Sequence, residues 1–161
     1  MNLFNILYYI FALYFCIIFL HYIFVLYMFK YCIWLLPENN SVLYSLTNGF
    51  PPHISLHTHL SLSECKKILN TMEKNKMNIK ILKKNETNEY KGFHSYYHFV
   101  YKKKILPERS HISFIYDNKP ILSEDIEKVY HSIDFSQTYV FDQYQIMCCK
   151  EKDYTKWYKV Q

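Results

Sequence analysis

His53-Ile54-Ser55-Leu56 returns as His111-Ile112-Ser113-Phe114, and each copy reads His-apolar-Ser-apolar. On a β-strand, successive side chains alternate between faces. The His and Ser of each copy therefore point one way, and the two apolar residues anchor the strand to a core on the other side. Two such strands lying side by side bring two imidazoles and two hydroxyls to one groove. An imidazole titrates near neutral pH, so a pair can serve as general base and general acid on one phosphodiester. The hydroxyls can hydrogen-bond its non-bridging oxygens. No metal or cofactor is called for. The plainer reading is two structural His-x-Ser strands, met by coincidence in a chain with eight His.

The residues around the two copies repeat an architecture. Pro51-Pro52 hold the chain extended ahead of the first copy, since a proline keeps its predecessor out of the helical region. Ser61-Leu62-Ser63-Glu64 then forms a capping box, and Leu62, Cys65, Ile68, Leu69 and Met72 keep helical spacing to about Asn75. The second copy is followed by Ser123-Glu124-Asp125, whose acids suit the start of a helix, with Ile126, Val129 and Tyr130 as its apolar side. Each half thus holds a His strand and then a helix. The run Tyr31 to Leu36, ended by Pro37, reads as a buried strand or as the tail of a preceding helix. Residues 38–50 have room for one short helix ending near Gly49. Asn78 to Leu82 predicts a strand, Lys83 to Lys91 a polar connection, Phe93 to Tyr101 an aromatic strand and Lys102 to Arg109 a basic turn. Tyr139 to Cys149 and Tyr154 to Val160 read as closing strands. The fold class is α+β.

Composition narrows the function. A chain of 161 residues suits one main domain with a real core. Two glycines leave no Walker A loop and no dinucleotide fingerprint. A net charge of +5 suits an anionic substrate but is not the footprint of a duplex-binding protein. The five cysteines have no C-x-x-C spacing and read as reduced thiols in a cytoplasm-facing domain, neither a disulfide framework nor a zinc finger.

Residues 1–29 stand apart from the domain expected over 30–161. Leu3 to Phe29 holds no charged residue. At about 1.5 Å per residue it spans roughly 40 Å as a helix, more than the ~30 Å of a hydrocarbon core. The literal reading is an uncleaved transmembrane anchor, with the lysines from Lys30 onward placing the domain in the cytoplasm. The alternative is a translation start at Met28, which leaves a soluble protein.

Other residues invite weighing. His57 and His59 share the face of His53 in an ideal strand, a spacing that fits zinc but equally the open end of a strand or a contact to substrate. His94 and His98 read as ordinary polar-edge residues. Phe93, Tyr96 and Tyr97 are suited to core packing or to stacking on a nucleobase, and Trp157 to the core. Lys102, Lys103, Lys104 and Arg109 flank the second copy, as a solvated turn or as an attractor of phosphates.

The chain as a whole resembles a family. Tyr31-Cys32-Ile33-Trp34-Leu35-Leu36-Pro37-Glu38 resembles the opening strand of the 2H phosphoesterases (LigT-like proteins), in particular the cyclic-nucleotide phosphodiesterases of plants and yeast. Phe50-Pro51-Pro52-His53-Ile54-Ser55-Leu56 and His111-Ile112-Ser113-Phe114-Ile115-Tyr116 look like its two His-x-Thr/Ser motifs. Thr155-Lys156-Trp157 after a late strand looks like its C-terminal end. The likeness covers about Lys30 to Gln161.

The resemblance implies a bilobal fold, with two antiparallel sheets facing a central groove and helices outside, here preceded by the N-terminal apolar helix. It implies His53 and His111 as the catalytic pair, Ser55 and Ser113 as phosphate contacts, and Tyr116 lining the groove. Parity places Tyr116 on the opposite face from His111 unless the strand ends or bulges first. It also implies metal-independent cleavage of 2′-linked phosphodiesters, in nucleoside 2′,3′-cyclic phosphates, 2′,5′-oligoadenylate or 2′,3′-cGAMP. The expected partner is a nucleotide or short oligonucleotide, the expected state a monomer. Asn, Ile, Lys, Tyr and Phe are abundant, as an AT-rich genome encodes, and with family habit this points to a viral antagonist of host nucleotide signalling. The 58 residues from His53 to His111 suggest trimmed loops and an open groove. The competing expectations are an inert nucleotide-binding or interaction module, and a small membrane protein with fortuitous His repeats.

Overall fold

The computed structural model describes residues 10–19, 30–39, 41–90, 92–151 and 153–160. Among these, seven strands form an antiparallel sheet: β1 Tyr31–Pro37, β2 Ile54–Leu60, β3 Met77–Tyr90, β4 Phe93–Val100, β5 His111–Asp117, β6 Thr138–Cys148 and β7 Tyr158–Lys159. Two helices follow the His strands, α1 Leu62–Thr71 after β2 and α2 Ser123–Ser132 after β5. The class is α+β, and the strand-then-helix repeat is present in both halves.

The order across the sheet is β2-β1-β6-β3-β4-β5, with β7 beside β6. The resemblance implies two sheets; here one strand belongs to both halves. The start of β3 pairs with β6 (Met77 opposite Phe141), and the rest pairs with β4 (Tyr90 opposite Phe93). Residues 83–90 are therefore strand, not the polar connection expected. Their hydrophilic composition reflects how many of these side chains remain exposed, while backbone pairing to β4 holds the segment extended. Gly92, at φ +93, closes the hairpin in a conformation that glycine adopts without strain. The two edge strands, β2 and β5, come into contact with each other. These are the strands that carry the His-x-Ser copies.

The core lies on one face of the sheet. Ile33 and Leu35 of β1, Ile54 and Leu56 of β2, Ile79 and Ile81 of β3, and Ile112 and Phe114 of β5 join one buried cluster, against which Leu62, Ile68, Leu69 and Ile126 of the helices pack. The Ser61 hydroxyl accepts from the Glu64 amide at 3.3 Å, and the Ser61 amide donates to Glu64 Oε2 at 2.8 Å, completing the capping box. The helix stops at Thr71, one turn short of Asn75. Between β1 and β2 the expected helix is a short 3-10 turn, Val42–Leu46. The C-terminal strand shrinks to two residues because Tyr154–Lys156 form a second 3-10 turn.

His98 corrects an expectation. It is fully buried, not at an edge. Its Nδ1 faces the Leu82 carbonyl at 2.9 Å and its Nε2 faces the Tyr96 hydroxyl at 2.6 Å. A carbonyl only accepts, so Nδ1 carries the proton and Nε2 accepts from Tyr96. Burial lowers the His98 pKa and pushes the Tyr96 pKa up to about 12, so both stay neutral.

Of the apolar segment 3–29, residues 10–19 are described. They are helical, and large side chains around the helix, such as Phe11, Leu13, Tyr14 and Phe15, are exposed. Among the described residues no helix is long and apolar enough to cross a membrane. The remainder of the expected N-terminal apolar helix, and the proposed start at Met28, lie outside the described residues.

One side chain ties the first half to the second. Asn48 donates from Nδ2 to the Tyr116 carbonyl at 2.7 Å and accepts from the Tyr116 amide at 3.1 Å. Its carboxamide thus acts as one more peptide unit beside the end of β5. Asn48→Ala leaves both backbone groups without this partner. The expected loss is about 2 kcal/mol of stability, read as a lower urea midpoint at unchanged slope.

Candidate active site

Both His-x-Ser copies take up the same local geometry. His53 Nδ1 lies 2.9 Å from the carbonyl of Pro51, two residues upstream. His111 Nδ1 lies 3.1 Å from the carbonyl of Arg109, again two residues upstream. In each neutral ring Nδ1 must donate, which leaves Nε2 with its lone pair. The tautomer needed for proton transfer at Nε2 is therefore set twice, by equivalent backbone oxygens.

The neighbouring strands extend the parallel. Trp34 of β1 stands opposite Ser55, and its ring stacks on His53 with centroids 3.5 Å apart. Tyr97 of β4 stands opposite Ser113, and its ring lies on His111 at 4.2 Å. In both halves the residue paired with the serine covers the imidazole two positions before it. Sequence reasoning did not assign this task to either aromatic ring. Trp34 was visible as a strand residue and Tyr97 as a stacking candidate, but the strand register that gives each its partner is set by tertiary pairing. Tyr96, by contrast, is core.

Tyr116 joins the site through a bulge. Tyr97 pairs with Ser113 and Tyr96 with Ile115, so Phe114 is one residue in excess on β5. The extra residue shifts the alternation, and Tyr116 returns to the face of Ser113. Its hydroxyl donates to Ser113 Oγ at 3.1 Å. Burial pushes the Tyr116 pKa up to about 12, so the phenol keeps its proton. The ring of Tyr116 sits 6.2 Å from that of His53, bringing the two motifs to one cluster. The imidazoles are also near enough that a charge on His111 disfavours one on His53.

The groove is not open over both rings. His53 is only 3 % exposed, beneath Trp34, with Phe50 at 6.0 Å and Tyr116 at 6.2 Å. The open groove expected from the short spacing of the motifs is instead closed on this side by aromatic rings. Desolvation lowers His53 to a pKa of about 3. His111 and Ser55 are half-buried, and Ser113 is buried. Burial lowers the His111 pKa below its ordinary value, opposed by its hydrogen bond to the Arg109 carbonyl and by the charge of Glu86. Glu86 also accepts from the Tyr97 hydroxyl at 2.9 Å and from Arg109 at 3.3 Å, fixing the ring that covers His111. The sequence offered no signal for Glu86, which lay in the supposed connection.

A cavity of about 200 Å³ adjoins this cluster, walled in part by Trp34, Phe50, Tyr116, Tyr154 and Trp157. Trp157 packs edge-on to Trp34 and to Tyr116, so it belongs to the aromatic wall. His57 and His59 do not line up with His53. Ser55 pairs with Trp34 while His57 pairs with Ile33, so Leu56 is in excess and the alternation breaks. His59 breaks it again with φ +58. Among the described residues no group of three or more His, Cys, Asp or Glu is placed to hold a metal ion. No family model matches the chain, nor does any curated protein or solved structure.

Proposed function

We propose that residues 30–161 form a metal-independent phosphodiesterase of the 2H type, acting on 2′-linked phosphates of nucleotides. The observation that carries this reading is the twofold repetition of one device. In each half an imidazole has its Nδ1 tied to a carbonyl two residues upstream, its face covered from the next strand, and a serine two residues on. A single His-x-Ser has no need of that repetition, whereas acid–base catalysis at one phosphorus needs two such groups.

His53, held neutral, is the general base. Its Nε2 takes a proton from water, for a 2′,3′-cyclic phosphate, or from a ribose hydroxyl, for a linear or cyclic dinucleotide. The freed oxygen attacks phosphorus. His111, protonated beside Glu86 and the bound phosphate, gives its Nε2 proton to the leaving oxygen. Ser55 and Ser113 donate to the non-bridging oxygens as negative charge builds. Tyr116, proton-bearing, orients Ser113. The aromatic cavity is of a size and chemistry to receive a base. With His53 only 3 % exposed, the aromatic cluster leaves a phosphate a narrow approach to its ring. The exposed apolar surface around helix 10–19 favours attachment of the N-terminal segment to a membrane. Host signalling nucleotides are the substrate class we favour.

The test is a panel of 2′,3′-cGAMP, 2′,5′-oligoadenylate and a nucleoside 2′,3′-cyclic phosphate, each incubated with and without EDTA. The expected result is cleavage of at least one, at the same rate in chelator. Loss of activity in EDTA overturns the mechanism. The depth of His53 favours one second reading, a nucleotide-binding module without turnover. Saturable binding with no product from any of the three selects it.

A further inference from the structure

The same face of the sheet carries a pair of thiols that acid–base chemistry does not use. Cys32, Trp34 and Leu36 alternate along β1 and point to the aromatic cluster, away from the main core. Cys32 stands opposite Met147 on β6, and the Cys149 amide donates to the Lys30 carbonyl at 2.8 Å, extending the pairing one step beyond the strand. Met147 and Cys149 are two residues apart on an extended chain, so they share a face. Cys149 is therefore the diagonal neighbour of Cys32, on adjacent strands and on one side. Both pack against the small cluster of Trp34, Leu36 and Met147.

Accessibility separates these two from the other cysteines. All five are free thiols. Cys65 and Cys148 are buried, Cys32 and Cys149 are partly exposed, and Cys16 lies exposed on helix 10–19. We infer that Cys32 and Cys149 form an oxidation site, at which hydrogen peroxide converts the pair to a reversible disulfide between β1 and the end of β6.

The chemistry assigns each sulfur a part. Cys32 accepts hydrogen bonds from the Cys149 thiol and from the His59 backbone, which lowers its pKa. Cys149 keeps its proton, its pKa raised by that same hydrogen bond. A thiolate is the nucleophile in such oxidations. The Cys32 thiolate attacks peroxide: an S–O bond forms, the O–O bond breaks, and hydroxide leaves to be protonated to water. The Cys149 sulfur then attacks the sulfenic sulfur and gives up its proton. The S–S bond forms, the S–O bond breaks and a second water leaves. Two thiols and one peroxide give one disulfide and two waters. A dithiol reductant reverses the bond.

The new bond would lie against Trp34, the ring that stacks on His53. It would join the start of β1 to the segment just after β6 and couple the redox state to the packing over the imidazole. This inference does not rest on the phosphodiesterase reading, and its test needs no turnover.

The experiment uses the full chain carrying Cys16→Ser, which removes the exposed thiol of helix 10–19 and leaves residues 30–161 unchanged. The protein is treated with hydrogen peroxide and its mass read under non-reducing conditions. The expected result is a loss of two hydrogens, one cross-linked peptide pair joining Cys32 to Cys149, quenching of tryptophan fluorescence, and full reversal by dithiothreitol. In the same protein also carrying Cys32→Ser, oxidation of Cys149 should slow roughly tenfold or more, having lost its activated partner. A link through Cys65 or Cys148, over-oxidation of Cys32 without a cross-link, or reaction of Cys32 no faster than of buried Cys65 would each overturn the proposal. The unsubstituted pair supplies all of these readouts, so misfolding of the Cys32→Ser chain would not rescue it.

Discussion

His53→Ala and His111→Ala are each expected to lower turnover of the best substrate by about 10²–10⁴-fold, the usual contribution of one positioned acid or base. The double variant should fall little below the worse single, because the proposed mechanism puts both imidazoles in one proton-transfer sequence. Alanine at 53 also removes a ring from the stack on Trp34, so near-ultraviolet circular dichroism must accompany the kinetics. His53→Asn serves as a second variant that keeps a polar group there. Activity within threefold of the parent in either folded variant would end the two-imidazole mechanism. The pH profile adds a sharper demand. The base must be neutral, so activity holds above the low pKa of His53, about 3. The acid must be protonated, so activity falls as pH rises through the value for His111, which burial places below 6.5 in the free protein. The bell of kcat/KM should therefore centre on the acid side of 6.5. The descending limb of kcat should lie at higher pH, because a bound phosphate favours the protonated imidazole. A profile in which both limbs lie above pH 7 contradicts these assignments.

The parts of the fold legible in the sequence were those governed by local rules. Alternation in His53 to Leu56 and in His111 to Phe114 predicted two strands with the His and Ser side chains on one side, and strands are found at Ile54–Leu60 and His111–Asp117. The Ser61–Glu64 capping box gave the start of a helix, and the strand at Tyr31 followed from its apolar run against Pro37. The less legible parts depended on partners distant in sequence. Lys83 to Tyr90 form a strand because β4 pairs with them, and no hydrophobic period marks that pairing. The bulge at Phe114, which returns Tyr116 to the site, is a mismatch between two strands and has no signature in either alone. The companions of the imidazoles, Trp34 and Tyr97, are set by register. The closure of the aromatic ring cluster over His53 depends on Phe50, Tyr116 and Trp34 meeting from three separate segments. A motif can name a reactive side chain, but its exposure is decided by what the rest of the chain brings to it.

The largest expected effect on stability comes from acid, and its sign follows from the same burial. His53 and His98 are held neutral in the folded state, His53 by burial under Trp34 and His98 by burial with a donor set on Leu82 and an acceptor set toward Tyr96. In the unfolded chain each titrates at an ordinary value near 6.5. Below that pH the unfolded state binds protons that the folded state refuses, so stability must fall as pH falls. Each refused proton costs about 1.4 kcal/mol per pH unit until the folded-state value is reached. For His53, whose folded pKa is about 3, the cost runs through the whole window from pH 6.5 to 5 and comes to about 2 kcal/mol. His98 adds in the same direction. The carboxylates of Glu64 and Asp134, whose pKa values are lowered, stabilise the fold throughout that window and lose this contribution only at lower pH. Against a typical stability of about 5–15 kcal/mol, the loss is large. Urea midpoints measured at pH 7.5, 6.5 and 5.0 should be level over the first interval and drop over the second. His98→Gln, which retains a polar side chain but cannot titrate, should be weaker at pH 7.5 yet lose less between 6.5 and 5.0. A midpoint that stays constant down to pH 5 would mean that neither ring is held neutral. The same result would remove His53 as a base held neutral by burial.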